Sequence, residues 1–144
     1  MCMKSSPIKQ TTILWADDDP DELALMQEVL KELSSPHHII EASNGKEVLQ
    51  YLEQLKETGI LPCLIVLDLN MPVLSGRETL VRLKQDAVFE HIPTVVFTTS
   101  ENALDQRFCN SYDTEMLTKP LTYAALKQII QKLLRMCEVS VKEK

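Results

Sequence analysis

The sequence predicts an α/β protein in which a doubly wound parallel sheet carries helices on both faces. Three observations predict it. Short apolar runs alternate with amphipathic segments along the whole chain, and several of these runs are apolar throughout, as strands buried on both faces are. The length of 144 residues suits one domain with a substantial core. Because crossovers between parallel strands are right-handed, we expect a doubly wound open sheet.

The first strand and the first helix are marked most clearly. Ile13–Ala16 is an apolar run, and the sequence Asp-Pro-Asp-Glu follows shortly after it. This pattern predicts a helix with Asp19 as N-cap, Pro20 as its first residue and Glu22 as the returning capping-box partner. Apolar residues then recur at helical spacing until the Ser-Ser-Pro at residues 34–36 ends the helix.

The same alternation continues to the end of the chain. Each further apolar run is followed by a turn or cap and then by an amphipathic segment. The last helix carries an apolar stripe at regular helical intervals. We predict further strands at 38–42, 63–69, 93–100 and 115–118, and helices at 44–56, 75–86, 101–112 and from about 122 onward.

Composition narrows the function classes. A net charge of −6, with no long basic stretch, argues against direct nucleic-acid binding. The N-terminus has no apolar signal-peptide core, and no apolar run reaches the roughly 18 residues that span a bilayer. The four cysteines are scattered without a C-x-x-C pair, a pattern typical of reduced cysteines. We therefore expect a cytoplasmic protein that contacts neither nucleic acid nor membrane.

Reactive side chains stand where the predicted strands end. Asp17 and Asp18 follow the first strand, Asp68 ends the third, Thr98 the fourth, and Lys119 follows the fifth. Each taken singly has an ordinary explanation as a solvated acid, a strand residue or a surface lysine. In a doubly wound sheet, however, the functional crevice lies beyond the carboxyl ends of the strands. Their combination therefore predicts one site.

Three carboxylates in one crevice need a positive charge. If the first and third strands are neighbours, Asp17, Asp18 and Asp68 converge and repel one another. A hard divalent cation with oxygen ligands relieves that repulsion, and Mg²⁺ accepts one or two carboxylates together with waters and phosphate oxygens. Lys119 would supply a second positive charge. We therefore predict Mg²⁺ as the cofactor.

Four stretches, in the order ILWADDD, IVLDLNMPVLSG, VVFTTS and LTKP, carry a resemblance to a known family. Together they resemble the receiver domain of bacterial two-component response regulators, over residues 13–135. The resemblance implies a flavodoxin-like (βα)5 fold with a parallel five-stranded sheet in the order 2-1-3-4-5. The strand pattern by itself leaves the order open.

The resemblance also implies a metal-binding role for four residues. Asp18 would bind Mg²⁺ directly and Asp17 largely through water. Asp68 would be a further ligand, and Asn70 would contribute its backbone carbonyl. All of these ligands are oxygen atoms, as Mg²⁺ requires.

The phosphoryl chemistry is implied by the resemblance in the same way. Asp68 would be the phosphoacceptor, while the Thr98 hydroxyl and the Lys119 ammonium group would contact the phosphoryl oxygens. The peptide between Lys119 and Pro120 resembles a cis peptide of the family. Asn70 and Ser100 would flank the path of the hydrolytic water and tune the phosphoryl lifetime.

One position departs from the family pattern. Three residues before Lys119 the family commonly has an aromatic residue that moves with the threonine, and this chain has Met116. A flexible thioether can fill the same pocket but lacks the defined positions of a ring. A switch that couples Thr98 to an aromatic side chain is therefore not expected in its usual form.

Partners follow from the resemblance, and the outer boundaries follow from the polar composition of the two chain ends. The phosphoryl donor would be a sensor histidine kinase or a phosphotransfer protein, and the output would be a change in binding to a downstream protein. We expect a monomer or transient dimer that is not an enzyme. We divide the chain into a flexible lead-in at 1–10, a receiver domain at 11–137 and a charged tail at 138–144, too short for an output domain.

Three other functions are compatible with parts of this pattern. A haloacid-dehalogenase-type phosphatase also uses an aspartyl phosphate with Mg²⁺, but its nucleophile ends the first strand in a D-x-D arrangement. A flavin-binding electron carrier would need a phosphate-cradling loop where this chain has three acids. A receiver-like docking module that takes no phosphate would need no intact set of acid, threonine and lysine.

Overall fold

The computed structural model describes the backbone of residues 11–142 and the side chains of residues 11–138. The predicted lead-in at 1–10 lies outside this part. Five strands alternate with five α-helices along the described residues, and one turn of 3-10 helix at Phe89–His91 precedes the fourth strand. The elements are β1 (Thr12–Ala16), α1 (Pro20–Glu32), β2 (His38–Ala42), α2 (Gly45–Thr58), β3 (Leu64–Leu67), α3 (Gly76–Gln85), β4 (Thr94–Thr98), α4 (Ala103–Ser111), β5 (Glu115–Thr118) and α5 (Tyr123–Lys142).

The strands form one parallel sheet in the order β2-β1-β3-β4-β5. Every neighbouring pair is parallel, and β1 pairs with β3 from Ile13 opposite Leu64 to Ala16 opposite Leu67. This confirms the doubly wound class and the strand order that the resemblance implied. It also places the carboxyl ends of β1 and β3 side by side.

Helices cover both faces of the sheet, and successive residues along each strand face opposite sides of it. Ile13 and Trp15 of β1 belong to the core cluster that includes buried residues of α1 and α5, whereas Leu14 and Ala16 belong to the cluster that includes those of α2, α3 and α4. Successive side chains of a strand point to opposite faces, so one short run serves both layers. The four residues of β3 are all buried.

Several boundaries differ from the sequence prediction. Helix α5 continues to Lys142, so it extends into the segment that we assigned to the charged tail from 138. The mixed charges of that segment suit a solvated last turn as well as they suit a tail, so composition does not distinguish the two. The strands β3 and β4 are shorter than predicted, because their last predicted residues belong to the loops that build the site.

The cysteine interpretation is wrong for one pair. Cys63, immediately before β3, and Cys137 of α5 form a disulfide with their Cα atoms 5.0 Å apart. They are separated by 74 residues along the chain and meet only because α5 packs against the sheet beside the start of β3. Spacing rules for nearby cysteines cannot detect such a pair. Cys109 is free and buried.

Candidate functional site

Three carboxylates meet at the carboxyl edge of the sheet, as predicted. Two of these residues continue the hydrogen bonding of the sheet through their backbones. The N–H of Asp17 donates to the carbonyl of Ala42 (3.0 Å), and that of Asp68 donates to the carbonyl of Ala16 (3.1 Å). One oxygen each from Asp17, Asp18 and Asp68 lies within 4.8 Å of the others. Asp17 and Asp68 are buried, whereas Asp18 is exposed. This set of hard oxygen donors fits a divalent cation such as Mg²⁺.

Lys119 supplies a positive charge to the same cluster. Its Nζ donates to Asp17 Oδ2 at 2.6 Å and to Asp68 Oδ2 at 2.9 Å, and its side chain is only 8% exposed. The backbone N–H of Lys119 donates to the carbonyl of Thr98 at 2.8 Å, which continues the pairing of β4 and β5 past the strand end. The lysine is therefore aimed across the sheet at the carboxylates.

Charge and burial oppose each other in this cluster. Burial alone would lower the pKa of Lys119, but its hydrogen bonds to Asp17 and Asp68 and their negative charges outweigh it and raise that pKa. Burial raises the pKa of Asp17 above its ordinary value, against the hydrogen bond from Lys119 that lowers it. The ammonium group is thus firmly charged, while for Asp17 the hydrogen bond from Lys119 does not fully offset the effect of burial.

The loop after β1 confirms one capping prediction and corrects another. Asp19 is the N-cap of α1, since its carboxylate accepts the N–H of Asp21 at 2.9 Å. The capping-box role of Glu22 is wrong. The N–H of Asp19 donates instead to Asp17 Oδ1 at 3.0 Å, and the Glu22 carboxylate lies 3.5 Å from Lys119 Nζ. The lysine, distant in sequence, attracts the side chain that local pattern assigned to the cap.

A close backbone approach shapes the loop after Asp68. The N–H of Gly76 donates to the carbonyl of Leu69 at 2.9 Å, so the start of α3 folds directly over the segment that follows Asp68. A Cβ at position 76 would overlap the carbonyl oxygen of Asp68. Ser75 caps α3 by accepting the N–H of Glu78 at 3.2 Å. The Ser-Gly pair therefore fixes the backbone that presents Asp68.

Thr98 and Asn70 also lie at this edge. Thr98 is fully buried, and its hydroxyl accepts the N–H of Ser100 at 3.3 Å. The N–H of Asn70 lies 3.4 Å from Asp68 Oδ1. The predicted role of the Asn70 carbonyl as a metal ligand stays a prediction. No cis peptide occurs among residues 11–142, so the expected cis bond before Pro120 is wrong, in keeping with the general preference for trans.

Sequence reasoning missed an ion pair next to this site. Arg77 of α3 donates through both Nε (3.1 Å) and Nη2 (2.6 Å) to Asp105 Oδ1 of α4. Its Nη1 reaches Asn70 Oδ1 at 3.3 Å, and Ser100 Oγ donates to Asp105 Oδ2 at 2.6 Å. Nothing in the spacing of two residues on different helices signals such a pair.

A family model for the response regulator receiver domain matches residues 13–131. The chain belongs to this family. Among curated proteins, the receiver is 39% identical over 107 residues to the response regulator Rcp1 of Synechocystis, with 73% of this chain and 71% of Rcp1 covered. This likeness extends across most of both chains.

Solved structures of receiver proteins have the same fold. The phosphorylated cyanobacterial phytochrome response regulator RcpA is 32% identical, with a TM-score of 0.77 over 85% of this chain and 89% of RcpA. The Mn²⁺-bound form of Rcp1 is 34% identical, with a TM-score of 0.75 over 85% of this chain and 90% of Rcp1.

Family membership carries general properties. Response regulator receivers are signalling proteins that are phosphorylated on an aspartate, bind a divalent cation at an acidic pocket, and interact with histidine kinases and downstream targets. The acidic cluster of this receiver is consistent with both phosphorylation and metal binding. Within residues 11–142, no helix is long and apolar enough to cross a membrane.

Proposed function

We propose that this receiver accepts a phosphoryl group on Asp68 from a sensor histidine kinase or a phosphotransfer protein, with Mg²⁺ bound, and that the phosphorylated form changes its binding to a downstream protein. The observation that carries the proposal is the Lys119 ammonium group bridging Asp17 and Asp68 beside a third carboxylate. The ammonium group can also bind the negatively charged oxygens of an incoming phosphoryl group, which supports a phosphoryl-accepting site here. The reaction would take place in the cytoplasm, on a monomer or a transient dimer.

The transfer requires one nucleophile and compensation of charge. A carboxylate oxygen of Asp68 attacks phosphorus in line, the new P–O bond forms as the P–N bond of the donor phosphohistidine breaks, and the leaving imidazole keeps the electron pair. Lys119 stabilises charge on the phosphoryl oxygens from one side. Mg²⁺ held by Asp17, Asp18 and Asp68 would neutralise further oxygen charge.

The change in binding to a downstream protein would begin with a new hydrogen-bond partner for the Thr98 hydroxyl. In this structure its hydroxyl accepts the N–H of Ser100, and a phosphoryl group would offer it a different partner. Such a difference in contacts is what shifts a conformational equilibrium. Met116 is half-buried against the α2–α4 side of the core, which supports adaptable packing over an aromatic switch.

Exposed apolar side chains near the site support docking of a protein. Leu121 is fully exposed, Leu104 is 66% exposed and Tyr123 is 42% exposed. Leu121 and Tyr123 line a cavity of about 370 Å³ that also contacts Lys119. Exposed apolar side chains that share one concave surface, as Leu121 and Tyr123 do, can mark an interaction site, whereas single exposed apolar residues need no such explanation. We propose that donor or target proteins contact this side of the molecule.

The function is tested by loading the purified protein with acetyl phosphate. We expect Mg²⁺-dependent gain of one phosphoryl group per chain, measured by intact mass, and peptide mapping that places it on Asp68. Chelation before the donor is added should prevent the gain. Steady release of phosphate from added phosphate esters would support the phosphatase alternative, and a folded protein that never gains mass would support the docking module.

Metal binding can be tested on Asp18 alone. Asp18 is the exposed member of the carboxylate set, and the ion pairs of Lys119 in the described part of the chain are with Asp17, Glu22 and Asp68. Asp18→Asn should therefore leave stability without metal nearly unchanged. In the wild type, Mg²⁺ at about 100 times its dissociation constant should add about 2.7 kcal/mol to the free energy of unfolding. We expect urea denaturation of Asp18→Asn to show most of that gain lost. An equal gain in both proteins would exclude Asp18 as a ligand.

A further inference from the structure

A chain of polar contacts joins the two loops that flank the phosphoacceptor. Asn70 lies two residues after Asp68, and Ser100 lies two residues after Thr98. The side chain of Asn70 is bound by Arg77, and that of Ser100 is bound by Asp105. Since Arg77 and Asp105 bind each other, both loop side chains are tied to one ion pair.

The ion pair is built to keep its geometry. Arg77 lies in the first turn of α3 and Asp105 in the first turn of α4, so each is fixed by a helix. Asp105 is only 8% exposed, and both of its oxygens accept hydrogen bonds. The Ser100 hydroxyl and the Arg77 guanidinium lower the pKa of Asp105, so it stays ionised at neutral pH. A planar guanidinium adds directional hydrogen bonds that an ammonium group cannot match.

We propose that Arg77 and Asp105 are positioning residues that hold Asn70 and Ser100 in place beside the phosphorylated Asp68 and so prolong the aspartyl phosphate. This inference rests on the proposed function. In hydrolysis, a water oxygen forms a bond to phosphorus while the bond from phosphorus to the Asp68 oxygen breaks. Asp68 keeps the electron pair and is restored as a carboxylate, inorganic phosphate leaves, and a proton of the water passes to solvent. A loop amide or hydroxyl free to turn could orient that water. Because Arg77 binds the side chain of Asn70 and Asp105 binds that of Ser100, neither side chain is free to turn toward the water.

The test separates hydrolysis from uptake. The wild type, Arg77→Met and Asp105→Asn are loaded with acetyl phosphate and Mg²⁺, the donor is removed by rapid desalting, and loss of the phosphoryl group is followed by intact mass. We expect hydrolysis to be about three- to tenfold faster in both variants, the factor that corresponds to one net hydrogen bond. The rate of uptake from acetyl phosphate should stay within about twofold of the wild type.

A matched control and a rescue complete the experiment. Arg82→Met removes the same charge from the exposed side of the same helix and should hydrolyse like the wild type. Arg77→Lys restores a cation near Asp105 and should recover part of the lifetime. Wild-type hydrolysis rates in both Arg77→Met and Asp105→Asn would overturn the inference, as would equal acceleration of uptake and hydrolysis together with a lower melting temperature.

The inference and the function on which it rests can fail separately. If the wild type gains no phosphoryl group, the proposed function itself is wrong. If the wild type is loaded on Asp68 and neither Arg77→Met nor Asp105→Asn differs from it in hydrolysis rate, only the positioning role is lost. Asp105→Asn retains an acceptor for Ser100, so it provides a folded variant even if Arg77→Met is unstable.

Discussion

Asp68→Asn is expected to abolish phosphoryl uptake from acetyl phosphate to below the detection limit of intact-mass measurement. An amide has no anionic oxygen to attack phosphorus, whereas its size is that of the carboxylate. The fold should survive, because Lys119 keeps its shorter hydrogen bond to Asp17 at 2.6 Å. Removal of one negative charge also relieves repulsion within the cluster. A circular dichroism melt of the variant should therefore match the wild type or exceed it.

Tryptophan emission provides a second readout of the same variant. Trp15 is the only tryptophan, it is 4% exposed, and its ring meets Phe97 edge-on with centroids 6.0 Å apart. Phe97 immediately precedes Thr98, so movement of Thr98 and the loop after β4 should alter this contact. We expect acetyl phosphate to change the emission of the wild type and not that of Asp68→Asn. Asp21→Asn, an exposed acid in the first turn of α1, is the matched control and should behave as the wild type.

One result would remove Asp68 from the mechanism. If Asp68→Asn gained a phosphoryl group at the wild-type rate, the acceptor would have to be another carboxylate, and peptide mapping would distinguish Asp17 from Asp18. That outcome would leave the fold and the family unchanged. It would contradict the proposed role of Asp68, at the end of β3, as the phosphoacceptor.

The convergence of the site was predictable because it depends on topology alone. A parallel sheet brings all carboxyl strand ends to one edge, so a list of residues after each apolar run already contains Asp17, Asp68 and Lys119. The order of strands needed the family resemblance, since alternation of strands and helices permits several orders. Once β1 and β3 are neighbours, the short distances to Lys119 follow from where each strand stops.

What the sequence missed depends on side chains that meet across separate elements. Glu22 fits a local capping pattern, yet it lies near Lys119 because a buried cation competes for carboxylates. The contact of Arg77 with Asp105 depends on how α3 and α4 are rotated about their axes, which hydrophobic periodicity specifies only to within a face. Such contacts require the assembled fold.

Lys119→Met is expected to lower the free energy of unfolding by about 3 kcal/mol when Mg²⁺ is chelated, the usual cost of leaving a buried charge without its partner. The side chains of Asp17 and Lys119 are 3% and 8% exposed, so water cannot replace the lost ammonium group fully. Saturating Mg²⁺ should recover most of this loss, because it supplies positive charge to the same oxygens. Urea denaturation with and without Mg²⁺ measures both effects. Lys127→Met, which removes a surface lysine 3.5 Å from Glu32, should cost less than about 1 kcal/mol.

Stability and phosphoryl uptake should respond differently to Mg²⁺ in Lys119→Met. A metal ion can neutralise the carboxylates, but it cannot take the place from which the lysine contacts the incoming phosphoryl oxygens. We therefore expect uptake from acetyl phosphate to remain about a hundredfold slower than in the wild type even when Mg²⁺ has restored stability. Recovery of both properties together would mean that Lys119 only balances charge. Wild-type stability in the chelated variant would mean that the carboxylates need no such balance, and the electrostatic account of this site would be wrong.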